Sequence, residues 1–103
     1  MNRIQKYKLY RKLKNPGPTT SNRNGYVESD IFRIDWNYTD GNVSYFIKSV
    51  YGGDDIFFTD VLLNGKTVTT FTGRRARTLF HLAKSVMAKE KVYGNVTYIR
   101  IIR

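Results

Sequence analysis

The chain has 103 residues, 41% of them apolar and 15% aromatic, which suits one folded domain with a single modest core and excludes overall disorder. Eighteen Lys and Arg against eight Asp and Glu leave a formal charge of +10, and charge on that scale points to polyanionic partners: RNA, DNA or an anionic membrane. The chain has no cysteine and one histidine, His81, which excludes disulfides, thiolate nucleophiles, Cys-based metal sites and multi-His sites.

The first residues, Met1 to Lys14, are basic with no continuous apolar run behind them, so a secretory signal is not expected. Nothing approaches the roughly 18 consecutive apolar residues of a membrane span. An intracellular location, cytoplasmic, nucleoid or nuclear, is the expectation.

Residues 1–14 carry Arg3, Lys6, Lys8, Arg11, Lys12 and Lys14 and no acid. Tyr7, Leu9 and Leu13 suit one face of a strand, whereas Leu9 with Leu13 and Ile4 with Tyr7 suit a short helix. Both readings stay open, as does a loose arm that orders on a partner. Asn15-Pro16-Gly17-Pro18 and the following residues to Gly25 have turn and loop composition. The expected organisation is therefore a basic arm and loop over 1–24, then one α+β domain over 25–103.

Asp40-Gly41 suits a two-residue hairpin loop. That register pairs Tyr38 with Val43, Trp36 with Tyr45 and Ile34 with Ile47 on one face, and places Arg33 opposite Lys48 on the other. Asn64-Gly65 marks a second hairpin, with Val61 opposite Val68, Phe58 opposite Phe71 and Thr59 opposite Thr70. Tyr51-Gly52-Gly53-Asp54-Asp55 connects the two.

A helix is expected from about Arg74 to Glu90, with Thr72 or Gly73 near its cap and Gly94 beyond its end. Ala76, Leu79, Phe80, Ala83, Val86 and Met87 form an apolar stripe, and Arg74, Arg77, His81 and Lys84 the opposite face, with Lys89 at its edge. Val96 to Ile102 reads as a final strand. The fold class is α+β: a mainly antiparallel sheet of four to five strands packed against one long amphipathic helix, with a basic N-terminal arm.

Arg74, Arg75 and Arg77 occupy the first turn of that helix, where the dipole and unpaired N–H groups already favour an anion. Residues 44–88 resemble the core of the double-stranded-RNA-binding domain, most closely over Asn64-Gly65-Lys66-Thr67-Val68-Thr69-Thr70-Phe71-Thr72-Gly73-Arg74-Arg75. The resemblance implies that Arg74 and Arg75 contact phosphates across a major groove, in a domain that reads A-form shape. The chain departs from that family at Thr78, where a third cation is expected and Arg77 comes one residue early. It departs again at Gly52-Gly53-Asp54-Asp55, in place of a Gly-Pro-x-His-like loop, and at the arm and the strand Ile31–Tyr38, which replace a first helix. The terminal strand is extra.

A three-stranded sheet backed by one helix also resembles the small DNA-binding domains of integrases and some plant transcription factors, which lay the sheet in a major groove; this implies groove contacts by Arg33 and Lys48. Tyr7 and Tyr10 in the arm are candidates for stacking on bases. The nucleic-acid contact set is Arg74, Arg75, Arg77, His81, Lys84 and Lys66, with Lys6, Lys8, Arg11, Lys12 and Lys14 from the arm.

His81 with Arg77 is the one ribonuclease-like combination, and no second catalytic group is spaced to help it. Asp54, Asp55 and Asp60 are the only candidate Mg²⁺ ligands, weaker than their reading as turn and strand acids. No Walker loop or dinucleotide fingerprint occurs, and no cofactor or metal is expected. The expected function is non-catalytic nucleic-acid binding, duplex RNA ahead of DNA. The alternative is a small basic inhibitor or adaptor, for example phage-encoded, that docks on an acidic protein surface.

Overall fold

Two hairpins organise the sheet. The structure is a computed structural model and describes residues 1–18, 23–28, 31–89 and 99–100. Strands β2 (Ile31–Asp40), β3 (Val43–Tyr51), β4 (Phe57–Leu63) and β5 (Lys66–Thr72) form an antiparallel meander. Strand β1 (Arg23–Glu28) adds antiparallel to β2, and β6 (Ile99–Arg100) pairs parallel with β1 at the far edge. The order across the six strands is β5-β4-β3-β2-β1-β6. Helices α1 (Arg3–Lys14) and α2 (Gly73–Lys89) complete the chain.

Alternation decides which residues enter the core. Ile34 and Trp36 of β2, Ile47 of β3, Val61 of β4 and Phe71 of β5 are buried together with Ala76, Leu79, Phe80 and Ala83 of α2 and with Leu9, Tyr10 and Leu13 of α1. Both helices therefore pack on one face of the sheet. Full burial of each large aliphatic or aromatic side chain contributes roughly 1.5–3 kcal/mol. Among the polar groups in this layer, the Trp36 indole N–H donates to Ser49 Oγ at 3.1 Å.

The second helix matches expectation, beginning one residue early at Gly73. The first corrects it: residues 3–14 are helix, and the fold has two helices where one was expected. Asn2 caps α1, its side chain accepting from the Gln5 N–H at 2.8 Å while Gln5 Oε1 accepts from the Asn2 N–H at 3.0 Å. This reciprocal pair satisfies two otherwise unpaired donors at the helix start. Beyond Asn15, Gly17 turns the chain at φ +78°, where a Cβ would come within 3.2 Å of the Lys14 carbonyl oxygen.

Four further expectations are corrected. In the first hairpin Asp40 pairs with Val43, Tyr38 with Tyr45 and Trp36 with Ile47, two residues away from the expected register. Gly41 has φ +61° and Asn42 is not in the left-handed region, so the loop is Gly41-Asn42 with glycine at its first position, as a type II′ turn requires. A two-residue slip keeps every side chain on its face, which is why the core assignment survives it.

In the second hairpin Leu63 pairs with Lys66 and Leu62 with Thr67 as the Asn64-Gly65 loop demands, but Val61 pairs with Thr69. A bulge at Val68 absorbs one residue, so Phe58 lies opposite Thr72 and Thr59 opposite Phe71. Residues 23–25 belong to strand β1, where loop was expected. The expected helix end at Glu90 and Gly94, and most of the strand Val96 to Ile102, lie outside the described residues. Its described part, Ile99–Arg100, sits at the sheet edge, so the sheet has six strands where four or five were expected.

Candidate nucleic-acid interface

Charge is sorted by layer. The two helices contain eleven of the eighteen Lys and Arg residues and no Asp or Glu. Asp35, Asp40 and Asp60 lie on strands, and Asp54 and Asp55 in the β3–β4 turn. Like charges about 10 Å apart repel by about 0.4 kcal/mol per pair in water, a cost that a polyanion laid across the helices would reverse. Salt screens this partially at the surface.

Within that layer, the cations divide into three groups. Arg74 and Arg77 are exposed and line the outer side of α2 with Thr78, His81 and Leu82. Thr78 Oγ1 donates to the Arg74 carbonyl at 3.0 Å, an intrahelical bond on the same side. Lys84 is exposed further along the same helix. On α1, the spacing of Ile4, Tyr7, Lys8 and Arg11 sets them on one side, and together with Arg3 they line a shallow groove.

The second group is held by aromatic rings. The Arg75 guanidinium lies over Tyr7 at 5.3 Å and over Tyr10 at 5.5 Å from the ring centroids. Lys14 Nζ lies 5.5 Å over Tyr10, and Lys6 Nζ 5.5 Å over Phe71. Arg75 therefore joins the start of α2 to α1, while Arg74 and Arg77 turn outward. The three arginines of the first turn do not converge on one anion.

Lys12 is the third case. Its ammonium donates to Asp40 Oδ2 at 2.7 Å, and that hydrogen bond, with the carboxylate's charge, holds its pKa above the ordinary lysine value. This pairing neutralises one cation of the layer. Lys66 stands apart, because it opens β5 at the hairpin turn, about 20 Å of strand from the start of α2.

The remaining candidates have close neighbours of their own. The His81 ring packs 5.5 Å from Phe57 and 5.7 Å from Phe80, at the end of an aromatic cluster that includes Tyr51 and Phe32. Arg33 pairs with Asp35 at 2.8 Å, and Lys48 lies between Asp35 and Asp60 in the strand register. Asp60 in turn accepts from Thr70 Oγ1 at 2.7 Å. On the face of the meander turned away from the helices, Arg33 is thus paired with Asp35, and Lys48 Nζ lies 6.0 Å over the Phe46 ring. Among the described residues no group of three His, Cys, Asp or Glu side chains is placed to hold a metal ion, so Asp54, Asp55 and Asp60 do not assemble one.

Tyr7 and Tyr10, equivalent in the sequence, separate in the fold. Tyr10 is 9% exposed and packs on Phe71 at 5.7 Å between ring centroids, whereas Tyr7 remains 47% exposed. Arg3 was absent from the expected contact set. Its place in the groove follows from the helical spacing Arg3, Tyr7, Arg11, a signal that becomes legible once residues 3–14 are read as helix. No helix among the described residues is long and apolar enough to cross a membrane. No protein-family model, curated protein or solved structure matches this chain.

Proposed function

We propose that this protein binds nucleic acid without catalysing a reaction on it, holding phosphates against the outer surface of its two helices. The observation that carries the reading is the acid-free helical layer, in which Arg3, Lys8, Arg11, Arg74, Arg77 and Lys84 face away from the core. Phosphate contacts of this kind supply affinity and orientation with little sequence preference. Duplex RNA stands ahead of DNA on the likeness of residues 64–75 to the double-stranded-RNA-binding domain. Arg74 carries the phosphate contact implied by that likeness; Arg75 contributes by tying the two helices together.

The test is an anisotropy titration of duplex RNA and duplex DNA over a salt series. Contact with four or five phosphates gives a slope of log affinity against log salt of roughly −4. Replacing Lys8 and Arg11 with alanine, or Arg74 and Arg77, lowers that slope by about 2 in each case, because each lost phosphate contact removes about one unit. Unchanged affinity in a folded fourfold variant would falsify the proposal. Capture of an acidic protein that survives nuclease treatment, with no nucleic-acid affinity, would replace it by the inhibitor or adaptor reading.

A further inference from the structure

The outward side of α1 holds an apolar pair that neither the core nor phosphate binding explains. Ile4 is 67% exposed and Tyr7 47%, side by side one turn apart on a helix whose other apolar residues, Leu9, Tyr10 and Leu13, are buried. The Arg75 guanidinium lies over the Tyr7 ring at 5.3 Å from its centroid, and the residue keeps 47% of its surface exposed. Arg3, Lys8 and Arg11 line the same groove, with no acid in it.

We infer that Tyr7 is a stacking platform for one unpaired nucleobase, with Ile4 packing against the same nucleotide and Arg3, Lys8 and Arg11 around its phosphates. The inference rests on the nucleic-acid reading above and names the element recognised there. Stacking on aromatic rings is sequence-tolerant because every base has a π-face, but it requires a base released from the helical stack. Arg75 adds pre-organisation: it holds the ring in place before the base arrives, so less side-chain freedom is lost on binding.

An anionic lipid surface fits the groove less well. A helix lying in a membrane interface turns a broad apolar face to the acyl chains. Here the broad apolar side of α1 is spent on the core, and the outward stripe offers two apolar side chains surrounded by cations. Charge complementarity and a half-exposed aromatic ring together favour a nucleotide.

The experiment compares three RNA duplexes: fully paired, with one bulged nucleotide, and with the same bulge made abasic. The full chain should bind the bulged duplex about tenfold more tightly than the abasic one, the scale of one base–aromatic stack. Tyr7→Ala should remove that preference, Tyr7→Phe should retain it, and Ile4→Ser should reduce it. Circular dichroism and thermal melting of each variant establish that it is folded.

Equal binding of all three duplexes by the folded wild type overturns the platform and leaves the proposed function intact. Binding of none of them ends both. Sedimentation with phosphatidylserine–phosphatidylcholine vesicles is the remaining arm. Vesicle binding abolished by Tyr7→Ala, with no preference for the bulged duplex, assigns the stripe to lipid and overturns the nucleotide reading.

Discussion

Helices α1 and α2 lie on the same face of the sheet, both are basic, and neither contains an acid, yet they do different work. Helix α2 places Ala76, Leu79, Phe80 and Ala83 against the sheet, keeps Arg74, Arg77 and Lys84 exposed, and turns Arg75 to α1. Helix α1 buries only Leu9, Tyr10 and Leu13 and sends Ile4 and Tyr7 outward among its cations. The apolar residues of α1 are thus divided between two directions: Leu9, Tyr10 and Leu13 anchor the helix, and Ile4 and Tyr7 are left at the surface.

The largest expected effect tests whether α1 is as much a part of the core as α2. Leu13 and Leu79 are both fully buried, so Leu13→Ala and Leu79→Ala should each cost about 2–5 kcal/mol in urea unfolding. If Leu13→Ala falls below about 1 kcal/mol while Leu79→Ala does not, α1 is an appendage and the two-helix interface is lost with it.

A smaller effect separates the anchoring of α1 from its start. Asn2→Ala removes the capping side chain and should cost about 1 kcal/mol, read as lower helicity and an earlier melting midpoint. No change in either would mean that tertiary contacts alone hold the first turn.

The smallest concerns the Lys12–Asp40 contact, between two side chains about half exposed. Because folding raises the Lys12 pKa, its stabilisation is fully present below the ordinary lysine value and is lost only as pH climbs through the folded value, above 10.5. Asp40→Asn should therefore produce a small shift in melting temperature that stays constant from pH 6 to pH 9. A shift that varies across that range would point to another titrating group beside Asp40.

These two helices also mark how far the sequence could be read. The α2 stripe recurs at three and four residues from Ala76 to Met87, so local pattern suffices. The α1 segment offers Leu9 and Leu13 at helical spacing and Tyr7, Leu9 and Leu13 at strand spacing, and the hydrophobic periodicity does not choose. The reciprocal Asn2–Gln5 cap was a local signal that separates them, since strands make no such pair. In the site, the helix-start arginines were legible as cations but not as partners. Nothing near Arg75 in sequence indicates that it lies over Tyr7, sixty-eight residues earlier.

By itself, then, the sequence determined the charge, the α2 helix, the two hairpins and the side of the sheet on which Ile34, Trp36, Ile47, Val61 and Phe71 lie. Each of these follows from composition, from a period of two or 3.6, or from the backbone demands of Gly41, Asn64 and Gly65. The tertiary structure decided the state of α1 and which cations are exposed, held over rings or paired with Asp40. Those outcomes depend on contacts between segments far apart in the chain, such as Tyr10 with Phe71, where packing against a specific neighbour outweighs local preference.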